Sequence, residues 1–149
     1  MRLDGQRSFS VPVDVLWSKL TDLDFVLSAL PDVVRVTTMS ADKAELVLRP
    51  KLSFIQADLD LTVEQIPGDP NRTAEWVLKT KAIGSTSRVR VTMELEPSPR
   101  GAVMHWSATI DELNGLLKLV PLGLIEAAAR RVITDVLTNI EDKMDDTIT

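Results

Sequence analysis

Side chains able to do acid–base or metal chemistry are scarce in this sequence. With no cysteine, no tyrosine and one histidine, His105, the chain cannot form disulfides, thiolate sites or the Cys- and His-rich sites that bind zinc. His105 falls on the polar side of the alternating segment 102–110, so we expect it in solvent and not as a general base. The six glycines form no phosphate-binding loop. The sequence therefore predicts no metal, no organic cofactor and no essential catalytic residue.

Two carboxylates, Asp58 and Asp60, have the spacing that places side chains on the same face of a strand. Their alternation with leucines puts that face in water. Lys79 and Lys81 of a neighbouring predicted strand carry the opposite charge, and opposite charges pair across antiparallel strands. We interpret the four residues as cross-strand charge pairs, with a catalytic carboxylate pair as the alternative.

The charge balance limits the class of partner. The formal net charge is −5, which disfavours attraction to a phosphate backbone. Arg88 and Arg90 form a small basic patch, but Glu94 and Glu96 lie on the same predicted face. No nucleic-acid partner is therefore expected.

The elements that must position these residues belong to one predicted domain, residues 1–149, since 44% hydrophobic and 26% charged content is typical of a globular protein of this length. Apolar residues alternate with polar ones in strands and recur every three or four residues in helices. Short Pro/Gly turns between strands indicate an antiparallel sheet whose apolar face a long helix must cover. The predicted strands span 2–11, 33–39, 43–49, 57–66, 73–82, 85–96 and 102–110, and the predicted helices span 12–22, 24–30 and about 124–145.

This order resembles the START-like (SRPBCC) helix-grip fold, and within it the CoxG-like family, named for the G subunit of carbon monoxide dehydrogenase. The resemblance rests on VPVDVLWSKLTDLDFVLSALPDVVRV at 11–36 and NGLLKLVPLGLIEAAARRVITDVLTNIEDKM at 114–144. It implies an α+β, birch-allergen-like fold, in which a curved antiparallel sheet of about seven strands wraps a long C-terminal helix and two short helices follow the first strand. It also implies an apolar ligand, such as a quinone or another lipid, and service to a membrane-associated oxidoreductase.

Large and small side chains together on the predicted inner face favour a hollow between sheet and helix. Large residues such as Trp76 and Trp106 share that face with several alanines, and methionines adapt to ligands of varied shape. The alternative is a solidly packed core. The predicted lining of the cavity is Leu61, Trp76, Leu78, Val91, Met93, Met104, Trp106 and Ala108 from the sheet and Leu124, Ala128 and Val132 from the helix.

Arg7 is the candidate polar contact in that cavity. By the alternation of the first strand it lies on the same side as Leu3 and Phe9. A strand-end side chain that reaches solvent is the alternative interpretation.

The segment 114–132 is the most apolar stretch of the chain. Lys118, Pro121 and Glu126 interrupt it, so a membrane-spanning helix is not expected there. Pro121 lacks a backbone N–H and predicts a bend before the long helix. At that bend, four residues are predicted to form a lid at the cavity mouth: Leu116, Leu117, Leu119 and Leu122. The alternative is a helix start packed wholly against the strand ends.

Three functions remain open from the sequence. The first is noncatalytic binding or carrying of an apolar small molecule, with a transient contact to a membrane surface or an oxidoreductase through the lid. The second is an enzyme of the polyketide cyclase/dehydrase type that uses the same cavity. The third is a docking or assembly subunit without a ligand. The first residues lack the apolar core of a signal peptide, so the expected location is the cytoplasm, peripheral to the inner face of the membrane.

Overall fold

The structure, a computed structural model, describes residues 1–51 and 57–148, with side chains described up to residue 145. Within that part of the chain, one antiparallel sheet and three α-helices form an α+β fold. The strands are β1 (Arg2–Phe9), β2 (Val33–Met39), β3 (Lys43–Leu48), β4 (Leu59–Pro67), β5 (Thr73–Ala82), β6 (Ser85–Ser98) and β7 (Gly101–Gly115). The helices are α1 (Val13–Leu20), α2 (Leu23–Ala29) and α3 (Leu122–Ile148), with a 3-10 helix at Leu116–Leu119.

The seven strands form a sheet in the order β1-β7-β6-β5-β4-β3-β2, and every neighbouring pair is antiparallel. Consecutive strands from β2 to β7 pair with one another, while β1 closes onto β7 from the other end of the chain. The two short helices follow β1, and the long α3 covers the apolar face. The helix-grip fold predicted from the sequence is confirmed.

The two short helices begin and end where their sequences dictate. Pro12 precedes α1, a position where a missing backbone N–H costs nothing. Asp22 caps α2, because its carboxylate accepts a hydrogen bond from the backbone N–H of Phe25. Leu30 is already extended before Pro31, as the residue before a proline usually is.

The apolar face is buried in two clusters. The larger lies where α1 and α3 meet the centre of the sheet, and includes Leu16, Leu20 and Ile140. The smaller lies under α2, where Leu23 and Leu27 meet β3 and β4. Each fully buried side chain of this size stabilises the fold by about 1.5–3 kcal/mol, so these clusters hold the sheet around α3.

The strands β6 and β7 are longer than the sequence predicts. The prediction ends the last strand at residue 110, but β7 continues to Gly115 by pairing with the beginning of β6. A bulge at Asp111 interrupts the regular alternation, because Ile110 pairs with Val89 while Glu112 pairs with Arg88. The extension places Gly115 directly opposite Ser85, beside the turn that joins β5 to β6.

Candidate functional site

An apolar cavity of about 110 Å³ lies between the sheet, α2 and α3. Strands β4 to β7 form the sheet side of the cavity. Their contribution comes from alternate side chains, since every second residue of a strand faces the same side. All of the residues that border it are apolar, and they are Val26, Leu30, Val63, Trp76, Leu78, Val91, Met93, Met104, Trp106, Val132, Ile133, Val136, Leu137 and Ile140.

The structure brings seven of the predicted lining residues together around this cavity. Six come from three neighbouring strands, whose registers place Trp76 opposite Val91 and Met93 opposite Trp106. The seventh comes from α3. The seven are Trp76, Leu78, Val91, Met93, Met104, Trp106 and Val132.

The other four predicted lining residues lie elsewhere. Leu61 is buried in the cluster under α2. Ala108 is 1% exposed and sits between Leu3 and Val91 on the adjacent strands, so it is packed and not at the cavity wall. Leu124 is exposed and Ala128 is half-buried, because the first two turns of α3 precede the part of the helix that reaches the cavity.

Seven lining residues were missed from the sequence. Four belong to α3 from Ile133 to Ile140, and their spacing of three and four residues is the signal that would have found them. Val26 belongs to α2 and Leu30 follows it directly. Both are far from the other lining residues in the sequence, so no local pattern indicates that they contact the cavity. The missed residues are Val26, Leu30, Val63, Ile133, Val136, Leu137 and Ile140.

Exposure along the cavity defines a closed end and a mouth. Trp76, Met93 and Met104 are buried at the closed end. Leu78 and Val91 are half-buried, and Val132 is 39% exposed. The mouth therefore lies beside Val132, the most exposed of these residues.

Beyond the mouth, the inner face of the sheet carries a pair of hydroxyl groups. Thr80, two residues beyond Leu78, lies opposite Ser87, and their side-chain oxygens are hydrogen-bonded. Ala82 and Ser85 come next, and then the β5–β6 turn. The inner face thus changes from apolar to polar between the cavity and this end of the sheet.

The segment predicted as a lid begins beside the same turn. Gly115 adopts a positive φ of 71°, and the backbone N–H of Leu116 donates to the Gly84 carbonyl at 2.8 Å. The 3-10 helix ends before Pro121, and α3 starts at Leu122, so the predicted bend is present. Of the four predicted lid residues, Leu117 is half-buried, and the exposed ones are Leu116, Leu119 and Leu122.

A further exposed apolar side chain, that of Ile83, adjoins Gly84, on which Leu116 packs. Ile83 in the β5–β6 turn is 91% exposed, and Leu119 in the 3-10 helix is 79% exposed. Exposed apolar groups gathered at one place mark interaction sites more often than single ones do. We call Ile83, Leu116, Leu119 and Leu122 the mouth patch.

Arg7 lies on the inner side of β1, as predicted, but it does not border the cavity. Its guanidinium donates through Nη2 and Nε to the Glu141 carboxylate, at 2.6 and 3.0 Å. Nη2 also donates to the Thr138 hydroxyl at 3.2 Å. The structure therefore gives Arg7 partners on α3, and the residue ties β1 to that helix.

The outward charges form surface pairs. Asp58 accepts a hydrogen bond from Arg49 at 2.8 Å, and this bond lowers the pKa of the Asp58 carboxyl. The predicted lysine partner of Asp58 is therefore replaced by Arg49, which precedes it by nine residues in the chain. Lys81 does lie opposite Asp60, while Lys79 lies opposite Thr62.

His105 is exposed on the outer face, as predicted, and its Nε2 lies 2.7 Å from a Glu96 carboxylate oxygen. Over residues 1–51 and 57–145, no three His, Asp or Glu side chains are grouped in a way that could hold a metal ion. In the described part of the chain, no helix is both long enough and apolar enough to cross a membrane.

A family model described as the G subunit of carbon monoxide dehydrogenase (CoxG) matches residues 5–145. No curated protein is significantly similar to the chain in sequence.

Several solved structures share the fold. A conserved protein from Geobacillus kaustophilus is 14% identical, with a TM-score of 0.88 over 99% of this chain and 97% of that one. A protein from Thermus thermophilus is 12% identical, with a TM-score of 0.73 over the whole of both chains. A protein from Mesorhizobium loti is 18% identical, with a TM-score of 0.62 over 99% of this chain and 98% of that one. At such identities the likeness concerns the fold.

Proposed function

The chain belongs to the CoxG family, that of the G subunit of carbon monoxide dehydrogenase, and we propose that it binds and carries an apolar small molecule in the cavity under α3. The family and the fold suggest a ligand-binding role. The observation that carries the proposal is the cavity itself, whose bordering residues are all apolar. Such a lining shields an apolar molecule from water and provides no compensation for a charged one.

The size of the cavity limits what part of the ligand it holds. Pockets for drug-sized ligands measure roughly 300–1,000 Å³, whereas an apolar cavity of about 150 Å³ has room for benzene. At about 110 Å³, the cavity holds a chain end or most of one ring. The rest of a longer ligand would leave through the mouth beside Val132.

A lipid bilayer surface is the proposed source of the ligand. The mouth patch is exposed beside the β5–β6 turn. Its apolar side chains could insert at the boundary between the headgroups and the acyl chains of a bilayer. Lys118 lies in the 3-10 helix between Leu116 and Leu119 and is exposed, so a positive charge adjoins the patch in a chain of net charge −5. A lysine at such a position favours anionic lipid. The family description offers an oxidoreductase as the alternative occupant of the same patch.

Binding of a small apolar probe to a cavity-filled variant tests the proposal. Val91 borders the cavity, so Val91→Phe fills it. Val103 lies on the outer face of β7, opposite Ser8 and Glu96, and Val103→Phe is the matched control. Isopropylbenzene titration, followed by the fluorescence of the tryptophans, should give equal binding in wild type and control and at least tenfold weaker binding in Val91→Phe. Equal binding by all three folded proteins, or by none, would refute the cavity as a ligand site.

A further inference from the structure

Two positively charged side chains face each other on the outer side of the sheet. Lys79 on β5 and Arg88 on β6 are directly opposite in the register, so they lie on the same face. Like charges at directly opposite positions destabilise a pair of strands. This pairing occurs in a chain whose net charge is −5. A negative group between Lys79 and Arg88 would therefore stabilise the fold.

The Arg88 guanidinium also has an unpaired donor. Arg88 is half-buried, and its Nε is shielded from solvent and makes no hydrogen bond with any described residue. Two residues further along the same face, Arg90 shows the usual arrangement, because its Nε lies 3.2 Å from a Glu75 carboxylate oxygen. A buried donor on a charged group is costly when it has no acceptor. Arg88 is therefore a position at which a bound acceptor would be favourable.

Further donors adjoin this pair on the same face. Lys81 is the next outward residue of β5, and Thr62 on β4 lies opposite Lys79. Lys81 is exposed and Thr62 is half-buried. Among the residues that the structure describes, no carboxylate forms an ion pair with Lys79, Lys81 or Arg88. Three cations and a hydroxyl group thus lie together on the outer face.

Two carboxylates on the neighbouring strands offer the competing explanation. Glu112 lies opposite Arg88 on β7, and Asp60 lies opposite Lys81 on β4. Both carboxylates are exposed. If the Glu112 side chain turned toward Arg88, the two would form an ordinary cross-strand pair, and no bound anion would be needed. A substitution at Glu112 therefore distinguishes the two explanations.

We propose that Arg88 and Lys79 bind a phosphate group on the outer face of β5 and β6. Arginine suits this ligand because its planar guanidinium presents several N–H donors in a fixed geometry, and lysine adds a compact positive charge. The site lies on the opposite side of the sheet from the apolar cavity. It therefore does not rest on the proposed function, and it takes a ligand of a different chemical class, an anion.

The phosphate group belongs either to a phospholipid headgroup or to a free phosphate compound. Lys81 lies two residues before Ile83, the most exposed residue of the mouth patch, and two residues of extended chain span about 7 Å. Apolar faces insert about 5–10 Å into the boundary of a bilayer. Insertion of the mouth patch to that depth would bring Lys81 to the level of the lipid phosphates. The position thus favours a phospholipid, and the experiment includes both sources.

Matched substitutions of two neighbouring arginines test the site. Arg88→Gln removes the unpaired guanidinium, and Arg90→Gln removes a paired one from the same face of the same strand, with the same change in net charge. Lys79→Gln, which changes an exposed side chain, serves as the second variant if Arg88→Gln folds poorly. Inorganic phosphate represents the free source, and monomeric dihexanoyl phosphatidylglycerol represents the lipid. Titrations at constant ionic strength, followed by backbone amide NMR, measure binding and locate it.

Arg88→Gln should weaken the binding of both probes by about fivefold or more, because it removes the main hydrogen-bond donor. Arg90→Gln should weaken it by less than about twofold, since its guanidinium is already paired. Glu112→Gln should strengthen the binding of both probes, because a nearby negative charge is lost. In wild type, the amide signals of Lys79 and Arg88 should shift with either probe. The lipid should bind about tenfold more tightly than inorganic phosphate, because its chains contact the mouth patch.

Each contrary result has a definite meaning. Equal weakening by Arg88→Gln and Arg90→Gln, or no binding of either probe to wild type, overturns the proposal. The proposal is also wrong if Glu112→Gln leaves phosphate binding unchanged and destabilises wild type but not Arg88→Gln, because Glu112 is then the partner of Arg88. Tighter binding of inorganic phosphate than of the lipid supports the site and assigns it to a free phosphate compound. Isopropylbenzene should bind equally to wild type and Arg88→Gln, so these results leave the carrier proposal untouched.

Discussion

Arg7 is the charged side chain on the inner side of β1, and α3 supplies its counter-charge. The pair is about one-third exposed, with side-chain exposures of 26% for Arg7 and 36% for Glu141. A partly buried pair in which two guanidinium nitrogens reach one carboxylate contributes more than a surface pair, whose usual contribution is below about 1 kcal/mol. The contact therefore helps to hold the first strand of the sheet against α3.

We expect Arg7→Met to lower the free energy of unfolding by about 1–2 kcal/mol, because it leaves the Glu141 carboxylate without its partner. Denaturant unfolding measures the loss. In a double-mutant cycle, Glu141→Gln should cost little more once Arg7 is gone. Lys79→Met, on the outer face, is the control and should change stability by less than about 0.5 kcal/mol. Additive losses at positions 7 and 141 would show that the pair does not interact.

For single residues, the sequence predicts the side of the sheet on which a residue lies more reliably than it predicts which residues it contacts. Alternation correctly places Trp76, Met93 and Arg7 inward, because a strand has a fixed period of two. It cannot tell that Ala108 is closed in by Leu3 and Val91, since that depends on which strands pair.

The bend between β7 and α3 packs against the β5–β6 turn. A Cβ atom at Gly115 would lie 1.8 Å from the Gly84 carbonyl oxygen, and the φ of 71° is unfavourable for other residues. A Cβ atom at Gly123, in the first turn of α3, meets nothing within 4 Å. A side chain at position 115 would therefore displace the backbone, whereas one at position 123 has room.

We expect Gly115→Ala to destabilise the protein by about 2 kcal/mol or more, because the turn must open to admit the methyl group. Gly123→Ala should instead stabilise it by about 0.5–1 kcal/mol, because alanine favours the helix. Thermal unfolding of the two variants measures both effects. A Gly115→Ala variant as stable as wild type would contradict the observed packing of the bend on the β5–β6 turn.

The mouth patch predicts membrane association that depends on its leucines. Leu116→Ser with Leu119→Ser should reduce sedimentation with liposomes of anionic lipid severalfold, because apolar contact area is lost. Val36→Ser with Met39→Ser, which changes exposed residues on the edge strand β2, should leave it unchanged. Equal association of both double variants would contradict a membrane role for the patch. Binding of an oxidoreductase but no liposome would assign the patch to the alternative partner.

The elements were predictable where local signals are strong. Pro12, Pro31 and Pro121 correctly mark the ends of helices, because proline cannot continue a backbone hydrogen-bond ladder. The extension of β7 was not predictable from local alternation, since the bulge at Asp111 shifts the pattern by one residue. The start of α3 also follows from this extension in the chain, and the part of the helix that borders the cavity begins at Val132, beyond Leu124 and Ala128.

On the scale of the whole molecule, one sheet wraps one helix and keeps a small apolar space between them. The fold was predictable because six amphipathic strands and a single long amphipathic helix leave few ways to bury their apolar faces. The size of the space was not, because it depends on how α2 and α3 side chains interlock. A space of about 110 Å³ can persist without a ligand, and the proposed function requires that it be filled in the cell.

Native mass spectrometry of the protein purified from its source cell without detergent tests this central claim most directly. We expect the wild-type protein to carry an apolar adduct that organic extraction releases, and we expect Val91→Phe, prepared in the same way, to have the mass of the bare chain. The Val103→Phe control should keep the adduct. A bare wild-type chain, or the same adduct on wild type and Val91→Phe, would contradict the assignment of this cavity as a carrier site.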